Sequence, residues 1–343
     1  MTDYIANQDT IIFSPEFNKP LNPSILINYK KIIFSDYELT ESLFDAYEYN
    51  NFSNDKLSGS IFNQPLSNSL NGLINLTHLT FGSKFNQPLL NSLNELINLT
   101  HLTLGYDFNQ PLMNSLNGLI NLTHLTFSSN FNQSLLYSLN KLINLTHLTF
   151  GNYFNQSLSN YLNRLINLTH LTFSFEFNQP LLNSLDRLIN LQYLTFGDCF
   201  NQSLSNSLNG LINLTHLTFS QNFNKPLSNS LNKLINLTHL TLGYYFNKNL
   251  DIPFNIKSIK LDCNNEYIIN NLPDSIEELK LDSNFNLELN NLPNSIKKIT
   301  FNENSKYNKP LNNLPKSLEI LELPFDYNKE TFFISSNCKK RFV

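Results

Sequence analysis

Seven histidines offer the most chemistry in this chain. All stand at one register of a repeated string: His78, His101, His124, His147, His170, His216 and His239, with Tyr193 in the remaining place. Imidazoles at a fixed spacing could share a metal ion. Zinc sites, however, need partners that orient each ligand, and the neighbours here are threonines rather than carboxylates. The column therefore reads as a copied surface residue, and no metal or cofactor is expected. Beside it runs a second column, Thr80, Thr103, Thr126, Thr149, Thr172, Thr195, Thr218 and Thr241. A flat Thr face can match a regular lattice, but the bulky, titratable histidines beside it argue against that use. Strand preference and cross-strand contacts account for the threonines. The sequence has no GxGxxG, P-loop, HExxH or GxSxG, and a repeat brings no unlike groups together in a nook, so an enzyme is not expected.

The elements that must position these columns follow from the period. The pair Phe-Asn recurs at Phe62, Phe85, Phe108, Phe131, Phe154, Phe177, Phe200, Phe223 and Phe246, 23 residues apart throughout. A fixed period of that size, joined to the string LTHLTF, marks a solenoid of leucine-rich units rather than two domains in this stretch. In one unit, Leu76-x-x-Leu79-x-Phe81 reads as a strand with Leu79 and Phe81 facing one way and His78 and Thr80 the other. Phe85 and Asn86 form the turn. Leu89, Leu93 and Leu96 then lie at helical spacing on a return segment, either a short helix or a 3₁₀ stretch. The expected fold class is an α/β repeat: a right-handed solenoid with parallel strands on its concave face and short helical or 3₁₀ segments on its convex face. One unit cannot fold alone; stacking supplies the ladder hydrogen bonds and seats each Phe85-type ring on the next. Asn75, Asn98 and Asn121 before the strands, and Asn86, Asn109 and Asn132 after them, are expected to satisfy backbone groups of neighbouring turns.

Four regions are expected: an N-terminal cap with degenerate repeats at 1–60, regular repeats at 61–248, divergent repeats at 249–330 and a tail at 331–343. In the cap, Leu39, Leu43, Phe44 and Tyr47 suggest a short amphipathic helix after Thr40. Charged residues are only 15% of the chain and nearly balanced, 23 Lys+Arg against 27 Asp+Glu, while Asn is about one residue in six. Nucleic acid is not an expected partner. Nor is a membrane, since no long apolar run is present. Cys199, Cys263 and Cys338 are odd in number and form no CxxC, and the start MTDYIANQDT has no secretory character. A cytosolic location is expected, and the Asn75-Leu-Thr type glycosylation matches read as a by-product of repetition.

Several Phe-Asn-Gln-Pro-Leu copies and the Leu-Pro-x-Ser-Ile/Leu units near the C-terminus resemble FNIP repeats, a leucine-rich-repeat-like family frequent in amoeboid eukaryotes and large DNA viruses. The resemblance implies a protein-interaction module. Many members resemble substrate-recognition subunits of ubiquitin ligases because an F-box precedes the repeats. No Leu-Pro-x-Glu-Ile/Leu run occurs among residues 1–60, so that role is not assigned to any residue. A selective surface needs differences between copies. The positions after each strand provide them, and Tyr106, Asp107, Tyr153, Phe175, Glu176, Asp198, Tyr244 and Tyr245 are the candidate partner-binding residues along one edge. In the divergent repeats the outward strand positions become Lys260, Glu278, Lys280 and Lys298, a candidate charged surface. The expected function is a non-enzymatic module or adaptor binding a protein partner in the cytoplasm of a eukaryote or an infected host cell. The alternative is a structural repeat protein that associates with itself.

Overall fold

A three-residue strand such as His101-Leu102-Thr103 has too few backbone groups to stand alone, so its neighbours must be the same strand one period away. In the computed structural model of the chain, which describes residues 2–39, 43, 59–227, 230–329 and 338–343, that is the arrangement found. His101 lies opposite His78 and His124, Leu102 opposite Leu79 and Leu125, and Thr103 opposite Thr80 and Thr126. The chain divides into two compact units, Met1–Phe177 and Asn178–Val343.

In the first unit, β1 (Tyr4–Ala6) runs antiparallel to β2 (Thr10–Phe13), and β2 pairs in parallel with β3 (Lys31–Phe34). A short helix, α1 (Pro23–Leu26), separates β2 from β3 and is capped by the Asn22 side chain. Then follow β4 (His78–Thr80), β5 (His101–Thr103), β6 (His124–Thr126), β7 (His147–Thr149) and β8 (His170–Thr172), all parallel and in register. Ile12, Ile33 and Leu43 form a buried cluster joined by Ile5, Tyr37 and Leu39. Apart from Leu43, the helix expected after Thr40 lies outside the described residues.

The second unit has parallel strands β9 (Tyr193–Thr195), β10 (His216–Thr218), β11 (His239–Leu242), β12 (Ser258–Leu261), β13 (Glu278–Leu281), β14 (Lys298–Phe301), β15 (Ile320–Leu323) and β16 (Lys339–Phe342). The helix α2 (Glu266–Asn270) follows β12 and is capped by Asn265, whose side chain accepts from the Ile268 N–H at 3.1 Å.

Each unit is thus a parallel-strand solenoid, as the period implies. The return segments resolve the choice left open by the sequence. They are successive tight turns closed by bonds three residues back, such as Ser92 N–H to Leu89 O (2.7 Å) and Leu96 N–H to Leu93 O (3.1 Å). A tight 3₁₀-type turn makes a flatter layer than an α-helix ~10 Å across, and it is what the regular repeats use, while α1 and α2 occupy return segments outside them.

Inside, Phe85, Phe108, Phe131 and Phe154 are fully buried, and their rings stack at centroid distances of 6.1–6.3 Å. Phe127 and Phe150 fill the gaps at 4.5 and 4.2 Å from Phe131 and Phe154. The second unit continues the pattern with Phe200, Phe223 and Phe246, then changes to Phe285, Tyr307 and Tyr327. Close packing extends to the backbone: a Cβ on Gly105 would lie 1.8 Å from the Gly82 carbonyl oxygen. Only glycine fits there.

Because Phe131 is packed from both sides, Phe131→Ala should cost about 3–5 kcal/mol, more than Phe17→Ala near the end of the unit. Equilibrium denaturant melts check this, and equal losses would refute nearest-neighbour stacking.

Candidate functional site

The strand face of the first unit carries the histidine column. His78, His101, His124, His147 and His170 stack ring on ring with centroids 4.1 Å apart and planes within 13° of parallel. A threonine pins each ring from the position before it. Thr100 Oγ1 lies 3.0 Å from the Thr77 carbonyl oxygen and 2.9 Å from His101 Nδ1. A hydroxyl has one proton, and the carbonyl can only accept it. Thr100 Oγ1 must therefore accept from Nδ1–H, which leaves the lone pair of neutral His101 on Nε2. The same pair of contacts recurs at His124, His147 and His170. In the second unit His216 and His239 repeat it, with Tyr193 stacked 4.3 Å from His216.

Face-to-face stacking sets neighbouring Nε2 lone pairs side by side, so they do not converge on one ion. Among the described residues no group of three or more His, Cys, Asp or Glu is placed to hold a metal. Stacking also sets the protonation chemistry. Burial, then the like charges of neighbouring rings, push His101 and His124 down to about 4. His147, His170 and His239 are lowered chiefly by burial, and His78 by burial and then by Lys31. Burial, which the sequence cannot show, outranks the mutual repulsion of the rings.

Along the edge after the strands, the same unit has an open groove of about 850 Å³. Its floor is an asparagine ladder. The Asn63 side chain accepts from Asn86 N–H, Asn86 from Asn109, and Asn109 from Asn132, at 2.9–3.0 Å, with a glutamine amide added at each oxygen. The asparagines before the strands are also structural, as expected: Asn98 donates to the Ile74 carbonyl at 2.8 Å and Asn121 to Ile97 at 2.9 Å. On the groove floor stand non-repeating residues: Lys84 paired with Asp107 at 3.0 Å, Asn130 donating to Asp107 at 3.0 Å, and the exposed ring of Tyr153.

Of the residues singled out from sequence, Asp107 and Tyr153 thus line one groove. Tyr106 and Phe175 are exposed on the same unit without lining it, and Glu176 is half-buried. In the second unit Tyr244 and Tyr245 are exposed and meet edge to face at 4.7 Å, whereas Asp198 is half-buried.

The charged strand positions of the second unit lie on adjacent rungs, but as a network. Lys260 pairs with Asp282, Lys280 with Glu278, and Lys298 with both Glu278 and Glu322, at 2.5–3.8 Å. Ser258, which pairs with His239 at the register of the histidines, is buried and donates to Glu278. Burial raises the Glu278 carboxyl, but hydrogen bonds from Lys280 and Ser258 outweigh it and leave it below the usual range. Glu322 is lowered by the Thr300 hydroxyl and then by Lys298. Sequence inspection missed the Asp282 and Glu322 partners, which come from the next rung, and a column of exposed isoleucines, Ile74, Ile97, Ile120, Ile143 and Ile166. The signal was present: each isoleucine sits between leucines of the core.

Comparison with known proteins agrees with this geometry. The FNIP Repeat model matches residues 246–284, 264–304 and 284–326. Among solved structures, CroV588, described as a novel circular LRR protein, is 31% identical with a TM-score of 0.63, over 99% of this chain and 56% of that one. Toll, from the Drosophila Toll–Spatzle complex, is 13% identical with a TM-score of 0.59, over 98% and 49%. The second is a likeness of fold alone. The chain spans about half the length of these two structures. No curated protein matches it.

Two outcomes are expected of the histidines. Nitrogen-15 NMR at neutral pH should find the proton on Nδ1 of His101, His124 and His147, and a proton on Nε2 would contradict the threonine pinning. Stability should also fall with acid. The unfolded chain binds protons as pH drops through ~6.5, while folded His101 and His124 stay neutral to about 4. The unfolded state then holds more protons, so stability is full above ~6.5 and is lost progressively down to ~4, by about 1 kcal/mol per ring after solvent screening. Substituting His101 and His147 by Gln should flatten the dependence in denaturant melts at pH 7, 6 and 5; an unchanged slope would refute it.

Proposed function

Since the chain contains FNIP repeats and folds as a leucine-rich-repeat-like solenoid, we propose that it is a non-enzymatic interaction module holding a protein partner along the edge that follows its strands. Repeat families of this kind are generally scaffolds without catalytic activity. The observation that carries the reading is the groove of the first unit, where unlike side chains, Lys84, Asp107, Asn130 and Tyr153, stand on a uniform asparagine floor. The floor is used up in holding the turns together. The unlike residues are what a partner would read. Tyr153 is half exposed, an aromatic anchor beside a charge pair, which is the composition of an energetic centre in an interface.

In this reading Tyr106, Phe175 and Glu176 extend the contact in the first unit, and Asp198, Tyr244 and Tyr245 serve the second. Lys260, Glu278, Lys280 and Lys298 form its charged portion, and an adaptor or substrate-recognition role is the finer form of the proposal. The setting we assign is the cytosol of a eukaryote or of a virus-infected host cell. It is supported by the likeness to CroV588 and by Cys199, Cys263 and Cys338, none of which is in a disulfide. No described helix is long and apolar enough to cross a membrane.

A second reading, association of the chain with itself, is favoured by a different surface, the exposed isoleucine column of the first unit.

Proximity labelling in host cells, followed by binding measurements with the captured protein, tests the first reading. Tyr153→Ala and Asp107→Ala should each weaken the complex about tenfold or more, the size of a central interface contact. Replacing Lys260, Lys280 and Lys298 with Thr, with Glu278→His, should reduce the salt dependence of binding. Unchanged affinity in every variant would remove the edge and the charged face as partner sites.

A further inference from the structure

One position on every turn of the regular array is isoleucine and faces water. In the first unit these are Ile74, Ile97, Ile120, Ile143 and Ile166, each 46–54% exposed. Each has its backbone fixed in place. The carbonyl of Ile74 accepts from Asn98, that of Ile97 from Asn121 and that of Ile120 from Asn144, at 2.8–2.9 Å, so the isoleucines recur once per rung at one register. Isolated apolar residues on a surface need no explanation, but a contiguous row of them does.

Copying of a tolerated residue explains the isoleucines by themselves. It does not explain their flank. The residue two places before each isoleucine changes along the unit: Gly72, Glu95, Gly118, Lys141, Arg164. Glu95, Lys141 and Arg164 are exposed, and the Glu95 carboxylate, which accepts from the Gly72 N–H at 2.9 Å, keeps acceptor capacity for a second partner. The order is acid on one side of the central rung, bases on the other, and glycine at the centre.

A partner that meets every rung must share the period, and a second copy of the chain does. Two ladders can face each other about a two-fold axis lying across them at Ile120. That operation brings each flank against the same flank of the other copy with the rung order reversed. Ile97 then faces Ile143, Glu95 faces Lys141 on both sides of the axis, and Gly118 meets Gly118. Glycine is required at 118 in any case, because a Cβ there would lie 2.2 Å from the Asn94 carbonyl oxygen, and it leaves the middle of the flank without a side chain. The parallel alternative, with the axis along the ladder, sets each charge against the asparagine flank and gains no pairing. The second unit does not share the pattern. Its flank reads Arg187, Gly210, Lys233, so the same operation about Ile212 would oppose like charges.

We propose that the isoleucine ladder of the first unit is a self-association surface, on which two copies of the chain pack antiparallel with isoleucine meeting isoleucine at each rung and Glu95 paired with Lys141 of the second copy. This rests on the self-association reading and is independent of the edge groove. The contact buries one half-exposed side chain per rung on each copy. The contact is therefore small, and the dimer is weak and concentration-dependent.

Sedimentation and light scattering of the full chain across a concentration series, with carbodiimide crosslinking of a mixture of light and nitrogen-15-labelled protein, test it. The wild type should dimerise reversibly and give a crosslink between Glu95 of one copy and Lys141 of the other. Glu95→Lys or Lys141→Glu should weaken the dimer about tenfold, Ile120→Lys should abolish it, and the double exchange Glu95→Lys with Lys141→Glu should restore wild-type affinity. All these side chains are exposed, so unchanged melting curves will show that each variant is folded. A wild type that stays monomeric to its solubility limit overturns both this surface and the self-association reading. A dimer indifferent to these substitutions leaves self-association standing and overturns the ladder. Loss in the single variants without rescue in the double overturns the antiparallel pairing.

Discussion

A strand of three residues cannot satisfy its own backbone, and everything else in this protein follows from where that satisfaction comes from. Thr100 and His101 both donate their N–H groups to Thr77 O, and Thr123 and His124 to Thr100 O, at 2.8–3.0 Å. The donors and acceptors of one rung lie on the next rung, 23 residues away. Inserting or removing one residue within a strand would break that correspondence, because the side chains would change faces. A change of length elsewhere in the repeat is absorbed outside the strand: His239 pairs with Ser258, Glu278 with Lys298 and Lys298 with Ile320, at steps of 19, 20 and 22 residues.

Once the rungs are locked in register, every side chain has a copy of itself about one strand spacing away, and each residue type responds by its own chemistry. Phenylalanines stack into a dry spine. Asparagines become a hydrogen-bonded ladder, with each oxygen taking two donors from the following turn. Histidines are the least suited to the arrangement, since stacking neutral rings is favourable and stacking charged ones is not. The threonine before each ring fixes the tautomer by accepting from Nδ1–H, and burial disfavours the charged form. Tyr307, which takes a place in the aromatic spine of the second unit, leaves a buried hydroxyl without a partner. The structure gives no physical reason for that hydroxyl.

Uniform columns build the scaffold, and information resides where copies differ. The groove residues Lys84, Asp107, Asn130 and Tyr153 and the isoleucine-flanking residues Glu95, Gly118 and Lys141 are both sets of departures set on a constant background. They lie at different registers of the repeat, so a protein partner and a second copy of the chain would not compete for the same side chains.

The sequence alone determined the rung: which residues form the strand, that Leu79 and Phe81 face inward and His78 and Thr80 outward, that the asparagines are structural, and that the strands run parallel. Those are local and periodic facts, readable because period two and period 23 both leave visible marks. Only the tertiary structure decided the rest. Whether Leu89, Leu93 and Leu96 lie on a helix or on tight turns depends on how flat a layer the stacked return segments make, which no single repeat reveals. The depression of His101 and His124 to about 4 depends first on burial in the fold and then on charges of rings 23 residues away. The charges of Lys260 and Lys298 looked available in the sequence and are paired in the fold because Asp282 and Glu322 are brought beside them by stacking, while Lys280 pairs with Glu278 along its own strand. The exposed isoleucines passed unnoticed because an isoleucine among leucines looks like core, and only the direction in which the turn leaves the strand sends it to the surface.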